Sequence, residues 1–249
     1  MRLSIAFLLI ITASAAHTEN SPLDEKILAA MAADIRTEAD VERDRNRRPV
    51  ETLSFFNMRD DMRVLELLPG GGWYTKILAP VLRDNGELHV AIGTNRVRDN
   101  LLKEEGFDKV NVIEVSAAMP ADGEFGGRTL GMFAFDAGEF DLVLTFRNMH
   151  NFTEEGRANI NAAVYDALVP GGLYGVVDHS RRHMEPATRE NRRRADVVQI
   201  IKEAEQAGFD FVDYSDLHYR PDDELRYEVG RKSVTGNSDR FTLLFRRPQ

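Results

Sequence analysis

Three places in this sequence bring together residue types that do chemistry. In residues 63–75, RVLELLPGGGWYT, Glu66 sits in an apolar run, and Gly70, Gly71 and Gly72 lead into a helical pattern. Glycines at a strand-to-helix turn leave backbone N–H groups bare, and beside a helix N-terminus such groups hold nucleotides and nucleoside-like cofactors. Gly70 and Gly72 also permit an approach that a Cβ would block, although the same turn serves equally as a plain tight turn. The second place is residues 146–152, FRNMHNF, with Asn148 and His150. A histidine there, with its reference pKa near neutrality, either deprotonates an acceptor hydroxyl or carbon acid or caps the helix that follows. The third is Asp178-His179, where a carboxylate orients a histidine, binds a polar substrate group, or caps its loop through backbone N–H groups.

The elements that must position these residues alternate between two periods. Strands are predicted at 63–67, 87–92, 110–115, 140–144 and 173–178, with helices at 73–82, 96–105, 154–168 and 187–207. The last helix is bounded by Pro186 and Gly208 and carries Val197, Val198, Ile201 and Ala204 as its apolar stripe. Two further strands, 209–217 and 240–246, bring the sheet to seven. Such alternation implies a mainly parallel sheet with helices on both faces, and it puts all three places at the carboxyl edge, where open α/β folds carry their sites. Ahead of the sheet, Ser21-Pro22-Leu23-Asp24 is a helix start, followed by Ile27, Leu28, Met31 and Ile35 at helical spacing. Residues 43–49, RDRNRRP, read either as a solvated connector or as a lid whose arginines face an anionic substrate, and 50–56 as a short helix.

Composition narrows the function classes. A formal net charge of −9 over 249 residues argues against nucleic acid or an anionic membrane surface as the main partner. The absence of cysteine excludes disulfides, thiolate metal ligands and a cysteine nucleophile, and 43% hydrophobic residues supply the core instead. The six histidines include no HExxH motif, so no metal is expected. Between Arg181 and Arg194 there are six arginines and two glutamates, which read as a solvated helix face or as recognition of a substrate carboxylate or phosphate. At the N-terminus, Arg2, an apolar run over 3–11 and Ala13-Ser14-Ala15-Ala16 have the order of a secretory signal peptide over 1–16, too short for a membrane span of about 20 apolar residues. The expected organisation is therefore a signal peptide, a helical extension over 17–62 and one α/β domain over 63–249, in a protein that is exported and not stably inserted in a membrane.

Val64-Leu65-Glu66-Leu67-Leu68-Pro69-Gly70-Gly71-Gly72 resembles the first motif of class I S-adenosylmethionine-dependent methyltransferases, in which an acid ends the first strand before a Gly-x-Gly-x-Gly turn. Phe140-Asp141-Leu142-Val143-Leu144 is similar to that family's fourth strand, and Leu168-Val169-Pro170-Gly171-Gly172-Leu173 to the turn before its fifth. With the signal peptide, RNMHNF, VVDH and SDRFTLLF, the whole chain resembles a bacterial group of exported predicted methyltransferases. The resemblance implies a Rossmann-like fold and S-adenosylmethionine as cofactor, with Glu66 orienting its amino end and Gly70, Gly71 and Gly72 under its methionine part. Leu68 stands where the family has its first glycine, and the second strand ends in Gly93-Thr94-Asn95 without the usual ribose-binding acid, leaving Asn95 to make one such bond. The third strand likewise ends without the Asp often used near adenine. Residues 146–152 lack an Asn-Pro-Pro-aromatic motif, and their Arg-Asn pair is similar to quinone-ring methyltransferases.

The expected activity is methyl transfer to a small molecule, with Asn148, His150 and Asp178 nearest the acceptor. The rival is a non-catalytic envelope protein binding a ligand on the same fold. An NAD-type oxidoreductase fits less well, because the acid expected after the second strand is absent. Mass spectrometry of the protein from its native envelope is expected to find an N-terminus at Ala16 or His17. Intact Met1 on a cytoplasmic protein would refute export.

Overall fold

Burial along the strands dictates the architecture. In β1 (Arg63–Leu67) four of five residues are buried, and in β4 (Phe140–Phe146) and β8 (Arg240–Arg246) six of seven, so the sheet is covered on both faces. The computed structural model describes residues 21–249, and the signal-peptide reading over 1–16 lies outside the described residues. The remaining strands are β2 (Glu87–Ala91), β3 (Asn111–Ile113), β5 (Leu168–Arg181), β6 (Ala195–Asp196) and β7 (Asp210–Ser215). They pair in the order β3-β2-β1-β4-β5-β8-β7, and the two-residue β6 adds to β5. All pairs from β3 to β5 are parallel, whereas β8 inserts antiparallel between β5 and β7. This is the predicted Rossmann-like α/β fold. Strand order reverses between β1 and β4, which opens a crevice at their carboxyl ends.

Each face carries its own core. On one side α5 (Thr75–Leu82) packs with α1 (Pro22–Met31) and α4 (Pro49–Phe55), burying Ile27, Leu53 and Phe56 with Ile77 and Leu78. The N-terminal extension thus completes a core that the sheet cannot close alone. On the other side α7 (Glu154–Ala167) and α8 (Val197–Gln206) bury Ile160, Val164, Ile200 and Ala204 against Leu243 and Phe245. The capping box expected at Ser21 and Asp24 is formed, with both reciprocal bonds present. No described helix is long and apolar enough to cross a membrane.

Several boundaries differ from expectation. The helix predicted over 187–207 is half that length, because Thr188, Asn191 and Pro186 close a local turn through three side-chain hydrogen bonds and Asp196 caps α8 from the Val198 N–H at 3.0 Å. The arginines of 181–194 therefore lie on a loop and not on a helix. β5 runs through the Pro-Gly-Gly turn, with a register shift against β4. α6 (Asn95–Asn100) stops five residues early, and β3 is three residues long. Residues 43–49 contain α2's successor, the single turn α3 (Asp44–Arg47), after α2 (Glu38–Val41). Arg48 then takes φ +41 before Pro49, which turns the chain into α4.

One buried ion pair joins the second layer: Arg157 on α7 meets Glu203 on α8 with bonds of 2.5 and 2.6 Å, and its third nitrogen reaches the Phe152 carbonyl at 2.6 Å. Glu203→Ala would leave a buried guanidinium without its partner. The expected cost is about 3–5 kcal/mol in urea denaturation, and a double replacement by Met and Leu is expected to recover most of it.

Candidate functional site

β1 delivers Glu66 to the crevice, and the chain then turns sharply. Leu68 takes φ +50, the left-handed conformation available to the glycine found there in similar sequences, and its N–H bonds to the Ala91 carbonyl at 2.9 Å. Gly70 follows at φ +59 with open space where a Cβ would project. Above this turn lies a cavity of about 400 Å³, lined by Glu66, Gly70, Gly71, Tyr74, Arg96 and Asn148 together with Arg43, Arg47 and Arg147. Gly72 does not line it: a Cβ there would come within 2.6 Å of Leu101 on the far side of the turn, so its size is set by packing against the α6 segment. Asn95 is exposed and also outside the cavity, and its neighbour Arg96 lines it instead.

The extension forms the opposite wall. Trp73 donates its indole N–H to the Asp40 carbonyl at 2.9 Å, and the Arg47 guanidinium lies 4.2 Å over the Trp73 ring. Lys76 reaches the Asp40 carboxylate at 2.8 Å. The Arg47 carbonyl accepts from His218, and the Asn46 carbonyl from Arg240 at 2.8 Å, so α3 is tied to the C-terminal strands. In residues 43–49 the buried Arg47 and the exposed Arg43 both line the cavity.

Electrostatics in this cavity are unusual. Burial pushes the Glu66 carboxyl up to about 7, against a 2.6 Å hydrogen bond from the Thr75 hydroxyl and the charge of Arg47. Burial, then repulsion from Arg147, brings Arg47 down to about 9. Behind the wall, burial and the same Arg147 charge bring Arg240 to about 10.

The turn after β4 separates this cavity from a second. Asn148 faces the first, whereas His150 lines a neighbouring cavity of about 380 Å³ with Arg157, Arg181, Arg192 and Asp196. Asp178, fully buried at the end of β5, accepts from the backbone N–H groups of His150 and His179 at 2.9 and 2.7 Å and pairs with His150 Nδ1 at 2.5 Å. This holds the histidine ring through Nδ1, the arrangement of a carboxylate-oriented base, in a residue that lines the second cavity. Asp178 thus both orients a histidine and caps its loop. Of the predicted site residues, Glu66, Gly70, Gly71 and Asn148 share one cavity, His150 and Asp178 form a pair beside it, and Gly72 and Asn95 join neither. Of the other lining residues, Arg47 and Arg147 belong to groups that the sequence marks only collectively, the arginines of 43–49 and the Arg-Asn pair of 147–148, whereas Arg96 and Tyr74 carry no signal of their own. Among the described residues no three His, Asp or Glu side chains are placed to hold a metal.

No family model and no curated protein matches this chain. Solved structures do. A S-adenosylmethionine-dependent methyltransferase from Aquifex aeolicus superposes with a TM-score of 0.58 over 90% of this chain and 97% of its own, at 13% identity. The fold is that of the S-adenosylmethionine-dependent methyltransferases. The [4+2]-cyclase SpnF (TM-score 0.55, 16% identity, 91% and 93% covered) and the glycopeptide N-methyltransferase MtfA complexed with sinefungin (0.53, 15%, 92% and 98%) have it too. At these identities the likeness is one of fold, and the cyclase illustrates that the fold serves more than one chemistry.

Glu66 generates a signed pH dependence. Its folded pKa of about 7 lies above its ordinary 4.5, so the folded state keeps a proton that the unfolded state loses between these values, and stability falls as pH rises through that window. Glu66→Gln keeps an oxygen for Thr75 and removes the penalty. The variant should match wild type below about pH 4.5 and exceed it by about 1–3 kcal/mol above pH 7, read by denaturation at each pH.

Proposed function

We propose that this protein is an S-adenosylmethionine-dependent methyltransferase acting on a small molecule. The observation that carries the reading is the cavity at the β1–β4 switch point, where Glu66, the open backbone of Gly70 and Gly71, and Asn148 meet. Its volume of about 400 Å³ suits a nucleoside-sized ligand, and a buried carboxyl near neutrality is suited to receive an ammonium, which would restore its charge. The bound cofactor supplies an electrophilic methyl group. Transfer is a direct displacement, so the chain's main task is to position two reactants. The turn 147–152 is proposed to hold the acceptor, with Asn148 on one side and His150 on the other. His150 Nε2 takes the proton of an acceptor hydroxyl or carbon acid, and Asp178 steadies the imidazolium through Nδ1.

The missing ribose acid at Asn95 and the fold shared with a cyclase make direct cofactor binding the decisive measurement. Export, supported by residues 1–16, belongs to the same proposal and places the reaction outside the cytoplasm. Calorimetry of the folded protein with S-adenosylmethionine and S-adenosylhomocysteine is expected to detect one site. Binding of neither would sink the reading and favour a non-catalytic protein or one binding another ligand. With a labelled cofactor and a screened acceptor, His150→Ala is expected to retain cofactor affinity and to lower turnover by roughly 10²–10⁴-fold.

A further inference from the structure

Arg43, Arg47, Arg96 and Arg147 all line the glycine-loop cavity, and among the described residues none of them has an ion pair or a side-chain hydrogen bond. Arg47 is 5% exposed, and the Nε of Arg147 is buried without a partner, as is that of Arg240. The nearby acids are already committed. Asp40 holds Lys76, Asp178 holds two backbone N–H groups and His150, and Glu66 takes the Thr75 hydroxyl while carrying its own burial penalty. Three arginines beside the neighbouring cavity are paired, Arg193 with Glu228, Arg194 with Asp223 and Arg157 with Glu203, whereas Arg181 and Arg192 there are not. At the glycine-loop cavity all four guanidiniums are without an anionic partner, and for Arg47 and the Nε of Arg147, which are buried, that charge goes uncompensated unless an anion arrives.

S-adenosylmethionine does not supply enough. Its carboxylate offsets at most one of the four guanidiniums, and its ammonium and sulfonium add positive charge to a cavity that already repels it. S-adenosylhomocysteine lacks the sulfonium charge. We infer that a carboxylate- or phosphate-bearing anion, separate from the cofactor, binds against Arg47 and Arg147, and that anion and S-adenosylmethionine bind with positive coupling. The guanidinium fork matches the oxygens of either anion type, and Arg147 opens the turn that carries Asn148 and His150, so the anion is the charged end of the methyl acceptor. The coupling rests on the methyltransferase reading; the anion site does not.

Titration calorimetry at constant ionic strength separates the two. Inorganic phosphate and succinate are titrated first, each alone, into wild type, Arg47→Met, Arg147→Met and the double variant Arg43→Gln/Arg96→Gln. The double variant changes two exposed side chains and keeps the buried ones, so it remains informative if the others fail to fold. Expected are saturable binding of one or both probes to wild type, loss with Arg147→Met or Arg47→Met, and at least a threefold weakening in the double variant. The preferred probe tells phosphate from carboxylate. With that probe saturating, S-adenosylmethionine affinity should rise about tenfold and S-adenosylhomocysteine affinity much less, in keeping with one charge pair at partly screened distance. Absence of saturable binding by both probes, or binding unchanged in every folded variant, overturns the anion site. Unchanged S-adenosylmethionine affinity in the presence of a bound anion overturns the coupling. Arginine-dependent anion binding with neither cofactor bound keeps the site and rejects the methyltransferase reading.

Discussion

The burial of Arg47 beside Glu66 is the constraint on which the rest of the site depends. A guanidinium taken out of water near a carboxyl whose own charge is disfavoured gives neither group full compensation. Position therefore has to be imposed from outside the pair. Trp73 beneath the guanidinium, the Arg48 left-handed turn before Pro49, and the bonds from His218 and Arg240 to the carbonyls of Arg47 and Asn46 all hold the charged side chain where solvent would otherwise claim it. Neutralising that charge by deprotonation is no escape, because a value of about 9 leaves Arg47 cationic at neutral pH.

The sheet supplies the complementary half. Its reversal of order between β1 and β4 places Glu66 and the turn after β4 on neighbouring strands, and parallel pairing puts their carboxyl ends at one edge. The register of β5 then brings Asp178 under the same turn, where its two oxygens gather backbone N–H groups and one imidazole nitrogen. A rigid strand end thus fixes a histidine that sequence spacing leaves on a loop. Rigid placement of this kind is what a direct displacement asks of a protein.

Much of this was legible in the sequence, for local reasons. Strands buried on both faces read as continuous apolar runs, and glycine, proline and capping signals punctuated them; hence the seven main strands and the Glu66 turn were accessible, whereas their order in the sheet was not read from the sequence. The helix over 187–207 was overestimated because side-chain bonds among Thr188, Asn191 and Pro186 compete with helical backbone bonds, and an apolar stripe does not register such competition. Gly72 illustrates a second limit. Its type signals a close approach, but only the packed α6 segment reveals that the approach is to Leu101 and not to a ligand. Within 43–49 a third limit applies: nothing in a local window distinguishes the buried Arg47 from the exposed Arg45, because its guanidinium lies over Trp73 and its carbonyl is held by His218, both outside that window.

Those distant contacts bear on how the molecule is made. The Asn46 carbonyl waits for Arg240, 194 positions later, and the Arg47 carbonyl for His218, 171 positions later. Closing loops of that size is entropically costly and slow, and it comes after local helices and adjacent parallel strands have already found one another. The central strands are able to assemble while the arginine wall is still solvated. The last tie on the arginine wall thus forms only after the final strand has been inserted between its neighbours, so a chain truncated before Arg240 would retain most of a sheet and lose the bond that anchors the Asn46 carbonyl beside Arg47.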